Sequence, residues 1–158
     1  MATDDLMGRL LDVVDDDASD SAIDALRVLL DDSTIDGDAP PRSVTDAAVL
    51  VGLSAHTLRY YEQEGLVRPA RNAAGYREYS AGDLRRLVFL TRMRMSGMSM
   101  RDLKRYIALV EQGPATEAQR REIMLVQRDR IRRQLRELTL SLEATEYKLR
   151  IYGGHPEP

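Results

Sequence analysis

Ser54-Ala55-His56-Thr57-Leu58-Arg59-Tyr60-Tyr61-Glu62-Gln63-Glu64-Gly65-Leu66 is the stretch on which the reading of this chain turns. Ser54 can cap a helix by accepting a hydrogen bond from a backbone amide, about two turns of helix-compatible residues follow, and Gly65 can take the conformation that ends one. A surface carrying Arg59 and two tyrosines gives this segment the makeup of a recognition helix. Just upstream, Asp46-Ala47-Ala48-Val49-Leu50-Val51-Gly52-Leu53 reads as a short apolar helix closed by glycine. The pair, joined by Gly52-Leu53-Ser54, has the outline of a helix-turn-helix.

The chain has 158 residues, 43% of them hydrophobic, which is room for one domain of ordinary size and an appendage. It has no cysteine, which excludes disulfides, thiolate metal sites and thiol redox sensing, and its two histidines, His56 and His155, lie far apart. No zinc site is therefore expected, and no metal or cofactor is assigned, although carboxylates could still hold a hard cation. The acidic start Met1-Ala2-Thr3-Asp4-Asp5 is unlike a secretory signal, and the longest run without a formal charge, Ala47 to Leu58, is 12 residues. A soluble cytoplasmic protein is expected, with no membrane partner.

The net charge of −3 conceals an asymmetry. Residues 1–41 hold 12 Asp and 2 Arg, a formal −10, whereas residues 42–158 hold 21 Lys+Arg against 14 Asp+Glu, a formal +7. Within 42–110 there are 12 basic residues, 11 of them arginine, against 6 acidic ones. The planar guanidinium fork binds phosphates and guanine edges with two bonds at once, so this bias points to nucleic acid.

In chain order, residues 1–41 form an acidic leader in which Leu6, Met7, Leu10, Leu11 and Val14, then Ile23, Ala25, Leu26, Leu29 and Leu30, are spaced as two short amphipathic helices. Asp36-Gly37-Asp38-Ala39-Pro40-Pro41 reads as a linker to the body. The leader has two readings: a solvated, partly disordered tail, or an arm that docks on the basic body. In the body, Ser43–Asp46, Ser80–Asp83, Ser99–Asp102 and Thr116–Gln119 each mark a helix start, giving helices at about 44–51, 55–63, 81–96, 100–111 and 116–151. Between the second and third, the segment from Leu66 to Tyr79, with Pro69, Asn72 and Gly75 at its tip, reads as a β-hairpin wing. Arg68, Arg71, Arg77, Tyr76 and Tyr79 would supply it with donors for phosphate. The methionines around Ser96-Gly97 read as core, or as a soft lining for an apolar effector.

Along the last helix, Met124, Ile131, Leu135, Leu138, Leu142, Thr145, Leu149 and Tyr152 recur at spacings of 3 and 4, with Arg128 interrupting the register. Such a line is a coiled-coil seam, and a stripe of this length without a partner would stay wet, so a homodimer is expected through Ile131, Leu135, Leu138, Leu142 and Leu149.

Taken together, Thr57-Leu58-Arg59-Tyr60-Tyr61-Glu62, Gly65-Leu66, Arg68-Pro69, Gly75-Tyr76-Arg77-Glu78-Tyr79-Ser80 and Asp83-Leu84-Arg85-Arg86-Leu87 resemble the amino-terminal domain of the MerR family of transcriptional regulators. The resemblance spans about residues 42–111. It implies a mainly α fold: a winged helix-turn-helix at 42–111 with a small β-hairpin wing, an antiparallel coiled-coil dimerisation helix at 112–152, and a tail at 153–158. It further implies a homodimer bound to double-stranded DNA at a palindromic promoter operator, bending and twisting it so that RNA polymerase can use the promoter. On the matched positions, Thr57, Arg59 and Tyr60 would face DNA, Tyr61 would pack inward, and Tyr76 and Arg77 would hold the backbone, with Arg71 at the wing tip as a further candidate. The family's metal, aldehyde and redox responders use cysteine, which this chain lacks, and the closing Glu146-Tyr147-Lys148-Leu149-Arg150-Ile151-Tyr152 is similar to the small, single-coil members. An effector of unassigned chemistry, or a protein partner on the leader, is left open. The alternative function is an architectural DNA-binding dimer without effector response. An enzyme is not expected, since no phosphate loop, metal cluster or nucleophile–base pair is present.

Overall fold

The computed structural model describes residues 39–153, so the two amphipathic segments read in the leader lie outside the described residues. The elements run α1 Val44–Val51, α2 Ala55–Gln63, β1 Ala70–Arg71, β2 Arg77–Glu78, α3 Ala81–Met95, α4 Met100–Glu111, a 3-10 turn Pro114–Thr116, and α5 Glu117–Ile151. They fall into two compact units, one closing at Met95 and the other beginning at Ser96. The segment 42–111 thus takes in nearly all of the described part of the first unit and the opening of the second.

Side-chain caps account for most helix starts. Ser43 Oγ accepts from Asp46 N at 3.2 Å, Ser54 Oγ from Thr57 N at 3.0 Å, and Ser99 Oγ from Asp102 N at 3.1 Å. At α3 the cap is reciprocal, since Ser80 Oγ accepts from Asp83 N at 3.1 Å while Asp83 Oδ2 accepts from Ser80 N at 2.9 Å. Ser54→Ala should cost about 1 kcal/mol in chemical denaturation and fray α2. Thr116 departs from the expected capping role. Its hydroxyl donates backwards, to the Leu109 carbonyl and to Gly113 O at 2.9 Å, because Pro114 starts a 3-10 turn there and Thr116 is its last residue, at φ −98° and ψ 6° rather than extended.

In the first unit α1 packs against both α2 and α3. Ala47, Ala48 and Val51 from α1, Leu58 and Tyr61 from α2, and Leu84, Leu87, Val88 and Leu90 from α3 are buried together with Leu66, Val67 and Tyr79. Gly52 turns the chain between α1 and α2 at φ 69°, where an L side chain would be strained. Tyr79 corrects the sequence reading. It is fully buried and cannot reach phosphate, because Arg42 and Tyr79 exchange two backbone hydrogen bonds of 2.8 Å that extend the hairpin and turn the ring inward. Burial foremost, then the Glu62 carboxylate, raises the Tyr79 phenol above its ordinary 10.0. The neutral ring is therefore favoured by folding, a contribution present below about pH 10 and lost as pH rises through the raised value.

The second unit packs α5 on α4 and on the 3-10 turn, around Met98, Leu103, Ile107, Ile123 and Gln127. Gln127 is a buried amide with a full set of partners: Nε2 donates to Ser96 Oγ at 2.8 Å and Ser96 O at 3.1 Å, and Oε1 accepts from Arg130 Nη1 at 2.8 Å. Arg130 Nη1 also donates to Gly97 O at 3.2 Å, and Gln134 Nε2 to Ser96 O at 3.2 Å. Three residues of α5 thus satisfy the carbonyls of one turn. The methionines divide, with Met98 buried as core and Met95 exposed.

Candidate nucleic-acid interface

One face of α2 is committed to the core through Leu58 and Tyr61. The opposite face therefore presents His56, Arg59, Tyr60 and Gln63, at spacings of 3, 1 and 3, all exposed. Arg59 and Tyr60 lie together on it, with Tyr60 41% exposed and its ring centroid 6.2 Å from that of Tyr61. Thr57 is less available than the sequence alone implied. It is half-buried, and its hydroxyl lies 2.9 Å from Ser54 Oγ inside the helix cap. Gln63 was passed over because the motif centres on Thr57 to Tyr61; its position four residues beyond Arg59 was the available signal.

The wing is a two-stranded antiparallel hairpin with Ala70 opposite Glu78 and Arg71 opposite Arg77. Its tip is built by Asn72, whose Oδ1 accepts from both Ala74 N and Tyr76 N at 3.0 Å, and by Gly75 at φ 84°. Tyr76 projects from it, 72% exposed. Arg71 Nη1 donates to Gly75 O at 2.9 Å and braces the tip.

A contact that no spacing rule announces joins wing to helix. Arg77 Nε donates to the Glu62 carboxylate of α2, and Arg71 Nη2 lies 3.9 Å from the same group. Two guanidinium groups share one carboxylate, so the cluster keeps a positive excess on the outside. Pairs of this kind stabilise by on the order of 1 kcal/mol or less, and here they tie the wing to α2 through one carboxylate. Arg59, Tyr60, Arg71 and Tyr76 are exposed on these two elements, whereas Arg77 is half-buried at their junction. Among the described residues no group of His, Asp and Glu is placed to hold a metal ion, and no helix is long and apolar enough to cross a membrane.

On α5, Leu135, Leu138, Leu142 and Leu149 are exposed and Ile131 is half-buried. A second exposed apolar line, Leu140, Tyr147 and Ile151, runs down the opposite side of the same helix.

Residues 42–109 match the model of the MerR HTH family of regulatory proteins. The HTH-type transcriptional regulator HmrR of Rhizobium leguminosarum bv. viciae is 35% identical over 116 residues, covering 73% of this chain and 90% of its own. Among solved structures, HiNmlR, a MerR family regulator lacking the sensor domain and bound to promoter DNA, aligns with a TM-score of 0.67 at 33% identity, covering 72% of this chain and 90% of that one. A MerR family regulator from Listeria monocytogenes aligns equally well, with a TM-score of 0.67 at 33% identity over 72% of this chain and 87% of its own.

Proposed function

The chain belongs to the MerR family of helix-turn-helix transcriptional regulators, and from that premise we propose that it binds double-stranded promoter DNA as a homodimer. The exposed face of α2, tied to the wing through Glu62, is the observation that carries this reading. A helix of nine residues with an arginine at its outer centre fits a major groove, and a wing held beside it reaches the flanking backbone. Arg59 is assigned to a base edge, with Tyr60 and Thr57 beside it. Tyr76, Arg71 and Arg77 are assigned to the backbone, Arg77 also positioning the wing. Residues 42–111 serve as the DNA-binding domain and 112–152 as the dimerisation helix, whose apolar line Ile131, Leu135, Leu138, Leu142 and Leu149 meets its twin in an antiparallel coil.

A twofold dimer presents two α2 helices to an inverted repeat and doubles the phosphate contacts. Deforming a duplex costs on the order of several kcal/mol, so a regulator that holds two half-sites can bias promoter shape and thereby RNA polymerase. The protein is a regulator rather than an enzyme, and its place is the cytoplasm, where promoter DNA is.

The test is competition binding. Sites recovered by genome-wide mapping should contain an inverted repeat inside a promoter spacer, and a duplex with that repeat should outcompete random DNA by 1,000-fold or more, on the order typical of specific regulators. Equal competition by random DNA would instead favour an architectural binder.

A further inference from the structure

The leader has a charge, a point of attachment and a surface within reach. Its formal −10 in residues 1–41 is carried by aspartates, against 12 basic and 6 acidic residues in 42–110. Its point of attachment is fixed by the backbone bridge between Arg42 and Tyr79. Tyr79 follows β2 directly and lies two residues beyond Arg77, which bonds Glu62 of α2. Arg42 is therefore fixed at the base of the wing, so the leader joins the body there, close to α2. Reach is not limiting: residues 1–38 would span roughly 57 Å even if wholly helical, against about 14 Å for α2 itself.

We propose that the aspartate-rich leader occupies the outer face of α2 and the wing in the DNA-free protein, as an intramolecular competitor of the phosphate backbone. Its consequence for DNA rests on the DNA-binding reading above, whereas the contact itself does not. The chemistry is shared, since a carboxylate and a phosphate both offer two oxygens to a guanidinium fork. Arg59 and Arg71 are exposed there, and the Glu62 carboxylate on α2 already serves Arg71 and Arg77. A short tether supplies the competitor at an effective concentration in the millimolar range, so individually weak carboxylate contacts suffice. Because the contact is between exposed charges, it weakens as the Debye length falls below about 10 Å. The leader would then raise the threshold for non-specific DNA more than for an operator whose base contacts it cannot imitate.

Two measurements on the full-length protein decide the matter. In the first, Asp15→Asn, Asp16→Asn, Asp17→Asn and Asp20→Asn are combined and random-sequence duplex is titrated by fluorescence anisotropy. Binding should tighten by about tenfold at low salt, the gain shrinking to about twofold at several hundred millimolar. In the second, the absence of any other cysteine lets Ser19→Cys carry a single nitroxide label. The label should broaden amide resonances of α2 and the wing, and an excess of duplex DNA should restore them. Lack of broadening at those elements overturns the contact, even if affinity rises, because a gain without contact is only the loss of net negative charge. Broadening with unchanged affinity overturns the competition. If neither protein binds any duplex, the DNA reading itself falls, and salt-reversible broadening still decides whether the leader docks.

Discussion

A chain carrying both Leu138→Asp and Leu142→Asp should sediment as a monomer, keep its helical circular dichroism, and lose roughly 100- to 1,000-fold in affinity for a palindromic duplex, with the salt slope halved. The two leucines project from α5 with 66% and 58% of their surface exposed, as the proposed seam requires of a single chain. In the paired state each carboxylate would have to be desolvated or the coil opened, and burying an unpaired charge is far costlier than the leucine contact it replaces. Because both side chains are largely exposed on the single chain, the monomer should remain folded, which separates this outcome from general unfolding. If the dimer survives, the seam is on the other side. Leu140→Asp with Tyr147→Asp would then be the pair that breaks it, since Leu140, Tyr147 and Ile151 form the opposing apolar line.

Arg59→Ala should cost roughly 1 to 3 kcal/mol at the preferred site and flatten the preference at one position of each half-site. Arg77→Ala should instead weaken binding to all sequences alike and lower the salt slope by about one unit. The Glu62 contact adds a control that distinguishes two routes to the same loss. If Arg77 acts by gripping phosphate, Glu62→Ala should leave affinity unchanged or improve it, since a competing carboxylate is gone. If Arg77 acts by holding the wing at α2, Glu62→Ala should reproduce the loss of affinity without the change in salt slope. Equal behaviour of Arg59→Ala and Arg77→Ala, in both preference and slope, would mean that Arg59 does not read a base.

The helical frame was open to sequence reasoning because its punctuation is chemical. Serine three residues before aspartate leaves little choice of register at Ser43, Ser80 and Ser99, and each cap forms as read. The same reasoning failed at Thr116, where a threonine in the same pattern follows Pro114 and is drawn into a 3-10 turn. Local rules also misjudged Tyr79. A tyrosine beside the wing arginines reads as a phosphate donor, but the non-local bridge to Arg42 turns it to the inner side. The tie between Glu62 and Arg77 spans 15 residues and depends on how the hairpin folds back over α2, so neither periodicity nor spacing could announce it. The second apolar line on α5 is shorter than the first: Leu140, Tyr147 and Ile151 fall 7 and 4 residues apart, and their shared exposure is what marks them as a line.

The three α5 side chains that hold Ser96 and Gly97 stand at 127, 130 and 134, one turn apart. Their bonds all converge on the same two carbonyls, so the helix is phase-locked to that turn. Inserting or deleting one residue between Gln127 and Gln134 rotates everything beyond it by about 100°, and Gln134 can no longer point where Gln127 points. Changes in length should therefore accumulate among relatives in the Gly113–Pro114 connection or past the last seam leucine, while this span of eight residues keeps its count even where its side chains drift.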